Sequence, residues 1–158
     1  MGEWVTVGDT GHQTYLARPA GEAGPGVLVL HAWWGLNDFI KGFCQRLADE
    51  GFTVLAPDLY HGAVTSEPDD AQRLVMQLQI PEATKEMAGA AAYLASRADV
   101  RPGKLGVIGF CMGGSLALLL AASSPHIGAA ASFYGGRELP EEQLRAITAP
   151  VLAVFGSE

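Results

Sequence analysis

Among the side chains that can act as nucleophiles, Cys111 has the most informative neighbours. It lies in Val107-Ile108-Gly109-Phe110-Cys111-Met112-Gly113-Gly114. The apolar run Leu105, Val107 and Ile108 predicts a buried strand, and the stretch from Leu116 to Ala122 predicts a helix. A glycine-flanked turn joins them. This strand-turn-helix order is that of a nucleophile elbow, with cysteine where Gly-x-Ser-x-Gly carries serine. In such a bend the central residue takes a strained, left-handed backbone that lifts its side chain above the sheet edge. Side chains two positions before and after would collide across it, which accounts for Gly109 and Gly113. Cys111 then sits at the mouth of a helix, where unpaired amides and the positive dipole end favour a thiolate. Two other readings compete. Free cysteines often only fill space. A dinucleotide loop needs G-x-G-x-x-G in the first βαβ unit, but these glycines come late and at positions 106, 109, 113 and 114.

The elements that would position this bend follow from periodicity. Trp4–Val7 and Gln13–Ala17 predict an N-terminal hairpin across Gly8-Asp9-Thr10-Gly11, with His12 solvated at the turn. Val27–Leu30 reads as a strand buried on both faces. Asn37-Asp38 caps a helix with Phe39, Ile40, Phe43, Cys44, Leu47 and Ala48 on its apolar face, and Gly51 stops it. Cys44 is therefore structural. Phe52–Ala56 is the next strand. The stretch from Leu59 to Gln79 has a mixed pattern and yields no element. Pro81 starts a helix facing inward through Ala83, Met87, Ala90, Ala91 and Leu94. After the elbow come a strand over Ile127–Phe133, a short helix over Pro140–Ile147 and a strand over Val151–Phe155. Strand and helix alternate from Val27 onward, which predicts a parallel sheet with helices on both faces.

Composition narrows the functional classes. The chain has 158 residues, enough for one domain, and is 49% hydrophobic and 17% charged, hence globular. A formal charge of -7 argues against nucleic acid or an anionic membrane as partner. No apolar stretch is long enough to span a bilayer, and the N-terminus lacks signal-peptide features. Gly2 to Thr6 fits the loose myristoylation pattern, but it reads as strand. Two cysteines without secretory context predict a reducing, cytoplasmic setting. No His or Cys pair has zinc-like spacing, so no metal site is expected.

The chain resembles the dienelactone hydrolase family of α/β-hydrolases from about Gly26 to Glu158. The resemblance is carried by Leu30-His31-Ala32-Trp33-Trp34-Gly35-Leu36-Asn37, Ala56-Pro57-Asp58-Leu59-Tyr60, Gly109–Gly114 and Phe133-Tyr134-Gly135. It implies a single α/β-hydrolase domain over 1–158, mostly parallel, with an N-terminal antiparallel hairpin and cut before the family's last strand and helix. It also implies a cofactor-free Cys-His-Asp hydrolase of small esters or lactones, as in carboxymethylenebutenolidases. Carried over, Cys111 is the nucleophile, and the backbone N–H groups of Met112 and Trp33 form the oxyanion hole. That matches the expected donors, one following the nucleophile and one in a loop after an earlier strand. Arg73 corresponds to a family arginine that grips the substrate carboxylate; alternatively it is a solvated helix residue. Tyr134, at a strand end, lines the pocket or merely packs, and Trp34 is a pocket wall or core anchor. His31 and His61 fall near the same rim as weaker candidates for the base.

Two departures stand out. Ala32 occupies the position of a family glutamate that takes part in activating the thiol. The triad aspartate and histidine of the resembling proteins lie after Phe155-Gly156-Ser157-Glu158, and Glu158 is one position early for the aspartate. The competing expectation is thus a non-catalytic α/β module that self-associates or binds a partner through an open sheet edge. A thiol redox sensor at Cys111, and a thioesterase or acyl-transfer enzyme on the same elbow, are further readings.

Overall fold

Along the central strands, alternate side chains leave in opposite directions, and each set finds a helical layer to cover it. In the computed structural model, residues 2–9 and 11–157 are described. The chain runs β1 (Glu3–Val7), β2 (His12–Ala17), β3 (Gly26–Leu30), α1 (Asp38–Asp49), β4 (Thr53–Pro57), α2 (Pro68–Gln77), α3 (Ile80–Ser96), β5 (Leu105–Phe110), α4 (Met112–Ser123), β6 (Ile127–Phe133), α5 (Glu141–Ala146) and β7 (Val151–Val154). The seven strands form one sheet in the order β1-β2-β4-β3-β5-β6-β7. The hairpin β1–β2 is antiparallel and joins β4 antiparallel, while every later pairing is parallel.

Val27 and Val29 of β3 pack on one face with Ile40, Cys44 and Ala48 of α1. Leu28 and Leu30 pack on the other with Met87 and Leu94 of α3 and Leu116 and Leu120 of α4. Every residue of β3 and β4 is buried, as continuous apolar runs predict for strands covered twice. Asn37 caps α1 by accepting from the Ile40 amide at 3.2 Å, and Gly51 ends the helical segment with φ 96°.

The chain leaves β3 toward β4 on one side and returns to β5 on the other. The C-terminal ends of β3 and β5 therefore lie side by side where strand order reverses, the place where open α/β sheets gather ligands.

Several expectations are corrected. Phe39 is exposed rather than part of the inward face of α1. The apolar stripe is centred on Ile40, Cys44 and Ala48, with Phe43 and Leu47 at its margin. The patternless segment contains α2, opened by Pro68 at the first helical position; among its residues only Ala71 is buried, too little for a visible period. His12 begins β2 and is half-buried, stacked on His61. β7 ends at Val154 and is exposed throughout. Thr10 of the predicted turn lies outside the described residues, while Gly8 and Gly11 beside it have positive φ.

Candidate active site

Cys111 follows β5 directly and is the N-cap residue of α4, with φ 55° and ψ -120°. A non-glycine residue in this region costs on the order of 1–3 kcal/mol and persists only where its surroundings over-determine it. The surroundings here do so. The Cys111 amide donates to the Phe133 carbonyl at 2.9 Å, and its own carbonyl accepts from Gly114 at 2.9 Å and Ser115 at 3.3 Å. A Cβ on Gly109 would stand 1.8 Å from the Gly113 carbonyl oxygen, the collision foreseen across the bend. Gly113 answers to a different neighbour. Its Cβ would meet the carbonyl oxygens of Leu30 and His31 at 2.3 and 2.5 Å, so the first turn of α4 lies against the end of β3. Gly114 is pressed likewise, 2.9 Å from the Phe133 carbonyl.

That contact places the loop after β3, with Trp33 and Trp34, beside the elbow. Their rings meet edge to face at 5.0 Å, and both residues are half-buried. Among the described residues, no hydrogen-bond acceptor engages the amides of Met112 or Trp33. Met112 N–H is the first amide of α4, at the positive end of its dipole.

Tyr60 is a neighbour that motif reading missed. It is buried at the end of β4, its hydroxyl donates to the Met112 sulfur at 3.4 Å, and its ring meets His31 at 4.9 Å. Burial first, and then the adjacent Cys111 charge, push its phenol up to about 12, so it stays protonated. The signal available was only its place in Pro57-Asp58-Leu59-Tyr60 at a strand end.

The two rim histidines are committed elsewhere. His31 is fully buried, and its Nε2 accepts from the Leu59 amide at 3.2 Å. Nδ1 therefore carries the proton and donates to the Ala32 carbonyl at 2.7 Å. Burial lowers its pKa, against smaller opposing effects of that bond and of Asp58. With both nitrogens engaged it is not a general base. His61, itself at φ 52°, points Nε2 at the Glu86 carboxylate, 3.0 and 3.1 Å from its two oxygens. His126 sits between α4 and β6, at the opposite end of the sheet from the elbow. No histidine among the described residues hydrogen-bonds Cys111, and Glu158 lies outside them.

Tyr134 follows β6 with φ 45° and an exposed ring 6.4 Å from Phe110, on the same strand-end rim as Cys111. Arg73 is exposed on α2 and paired at 2.8 Å with Asp70, one turn earlier; among the described residues no hydrogen bond or ion pair joins it to Cys111. Its neighbour Leu74 lines a cleft of about 310 Å³ that reaches Tyr60 and His61. One grouping of side chains was not anticipated from spacing. The fold brings His12, His61 and Glu86 together, with ligand atoms all within 4.8 Å of one another. They come from three separate elements, so no spacing revealed them.

The geometry agrees with what comparison with known proteins finds. The model of the dienelactone hydrolase family matches residues 12–158. A protein of Aquifex aeolicus that bears a carboxymethylenebutenolidase name is 35% identical over all of this chain, which spans 72% of that protein's length. The Usf protein of Aquifex pyrophilus is 33% identical, with the same coverage. Among solved structures, the dienelactone hydrolase of Anabaena variabilis superposes with a TM-score of 0.73 at 26% identity, over 97% of this chain and 71% of that one. The dienelactone hydrolase-like promiscuous phosphotriesterase P91, from metagenomic libraries, superposes with a TM-score of 0.81 at 28% identity, over 97% and 67%. The chain therefore belongs to the dienelactone hydrolase family, hydrolases of lactone and ester bonds.

Proposed function

We propose that the chain carries the nucleophile and oxyanion hole of a cysteine hydrolase acting on small, soluble esters or lactones in the cytoplasm. The observation that supports this most is the positive-φ backbone of Cys111, held at the C-terminal end of β5 beside the free first amide of α4. The Cys111 thiolate attacks the carbonyl carbon, and the C=O electron pair moves onto oxygen. Met112 and Trp33 amides receive that oxyanion, and each such donor is worth about 3 kcal/mol of barrier in comparable sites. Collapse expels the alkoxide, leaving a thioester on Cys111 that water cleaves. Protonation of the leaving group and activation of the water need an acid–base histidine. His31 cannot supply it, since both its nitrogens are engaged. Ala32 offers no carboxylate, and Tyr60 stays protonated and serves as a neutral wall of the site. Trp34 and Tyr134 frame the acyl group, and Arg73 faces a substrate carboxylate once released from Asp70. The open edge at β7 supports self-association in the 158-residue chain.

The test is p-nitrophenyl acetate with intact-mass detection. One acetyl group per chain is expected on Cys111, and none in Cys111→Ala. Gly109→Ala, with the sulfur kept but the bend disturbed, should acylate at least about 100-fold more slowly. Equal acylation of Cys111→Ala would overturn the nucleophile assignment and leave the reading of a non-catalytic partner-binding module.

A further inference from the structure

We propose that His12, His61 and Glu86 form a binding site for one first-row divalent cation of the Zn²⁺ type. The site is separate from the elbow and leaves one coordination position open. The three ligands come from the first residue of β2, the turn after β4, and the middle of α3. The His12 and His61 rings stack at 4.3 Å with planes 15° apart, and because an imidazole holds a metal in its own ring plane, the His12 ring tilts out of the stack when both meet one ion. Both Nε2 atoms converge on one carboxylate oxygen of Glu86, at 3.5 Å from His12 and 3.0 Å from His61.

The longer distance is informative. At 3.5 Å, His12 Nε2 is too far for a good hydrogen bond to that oxygen. Two ligands bound to one tetrahedral zinc at its usual bond lengths stand about 3.3 Å apart. Two of the three ligand–ligand separations, 3.0 and 3.5 Å, lie near that value, and the shorter is a His61–Glu86 hydrogen bond that a cation would replace. Two imidazoles and one carboxylate are a donor set that suits zinc, and three protein ligands leave a fourth position for water or an external anion.

The surroundings favour a cation. The cleft of about 250 Å³ lined by His12 and Glu86 also carries Asp9, Asp58, Glu82 and Lys85, four carboxylates with Glu86 against one ammonium. Lys85 is itself paired with Glu82 at 3.2 Å. A second cleft of about 460 Å³ opens on His12 and His61, giving an ion a route in and an exogenous ligand a place to sit. His61 is also held in place before any ion arrives. Its φ of 52° is fixed by Asp58, whose two carboxylate oxygens accept from the Tyr60 and Gly62 amides at 3.2 and 2.7 Å. Strain stored in this way marks a positioned side chain rather than a loop at rest.

The experiment is titration of the metal-free chain with Zn²⁺ by calorimetry, with Co²⁺ absorption as a coordination readout. Wild type should bind one equivalent, and bound Co²⁺ should show four-coordinate d–d bands without thiolate charge transfer. His12→Gln, Glu86→Gln and His61→Asn should each weaken binding at least 10-fold. Asparagine is chosen at position 61 because it tolerates a positive φ, and circular dichroism confirms that each variant folds. Cys111→Ala and His126→Ala should bind as wild type does, which separates this site from the elbow and from incidental surface imidazole. Absence of a stoichiometric site in wild type, or one unchanged by His12→Gln and His61→Asn, overturns the proposal.

Discussion

Gly109→Ala is the most direct probe of the bend, because Gly106 on the same strand provides an internal control. A methyl group at 109 would begin 1.8 Å from the Gly113 carbonyl oxygen, whereas real contacts of this kind stay beyond 3.0 Å. The carbonyl would have to retreat by about 1.2 Å, and it cannot, because Gly113 is already wedged against the backbone of Leu30 and His31. The strain must go into opening the first turn of α4 or releasing Cys111 from its positive φ. Backbone-to-backbone overpacking of this size should cost at least about 3 kcal/mol, the upper part of the range for inserted methyl groups. At Gly106 the same methyl meets only the Val27 side chain, Cγ2 at 3.6 Å and Cγ1 at 4.0 Å, both ordinary contacts. Gly106→Ala should therefore leave stability unchanged or raise it by up to about 1 kcal/mol, by narrowing the unfolded ensemble. Urea unfolding followed by circular dichroism reads both. A drop in midpoint of about 1–2 M is expected for Gly109→Ala alone, with an m-value of ordinary size for a small domain. Equal midpoints for the two variants would refute the claim that the bend, and not the strand, requires glycine at 109.

Three further outcomes are expected. Burial pushes the Cys44 thiol up to about 12, so iodoacetamide at pH 8 should label Cys111 and spare Cys44 until the chain unfolds, as peptide mass mapping will show. The Asp99 carboxyl is held below its usual range first by its hydrogen bonds to the Arg97 guanidinium, both at 2.7 Å. Its contribution to stability is present above the unfolded pKa near 4 and is lost as pH falls through the lower folded value. His31, whose pKa burial lowers, adds a second loss as pH falls below its unfolded value near 6.5. In urea unfolding across pH, stability should therefore decline from about pH 6.5 downward, and Asp99→Asn should flatten that decline only below about pH 4. Finally, Val151, Leu152 and Phe155 are exposed along the β7 edge, and Leu152→Lys should shift the 158-residue chain toward monomer in light scattering. An unchanged mass distribution would remove that edge as the contact.

How much was legible depended on whether a signal was local. The inward face of α3 was readable to the residue, since Ala83, Met87, Ala90, Ala91 and Leu94 recur at helical spacing and all are buried. The elbow was readable because its steric demand is met within five residues. Gly113 was predicted for an incomplete reason: its tightest neighbours, Leu30 and His31, lie some eighty positions earlier, and no local pattern records them. Phe39 was misplaced because hydrophobicity alone does not say where an apolar stripe ends. The committed state of His31 and the grouping of His12, His61 and Glu86 depend on pairings across the sheet and onto α3. Single-sequence reading does not see these.

The crowding around the elbow also sets how this chain can diverge. Positions 109, 113 and 114 admit no side chain, so drift there is closed. Phe110 and Met112 on either side of the nucleophile pack half-buried against the two core layers, which leaves Cys111 as the position free to change on a fixed frame. Evolution, or a library built at position 111, can exchange sulfur for oxygen while inheriting that scaffold. New reactivity at this bend is then reached in single steps, each tested on a backbone that already holds its shape.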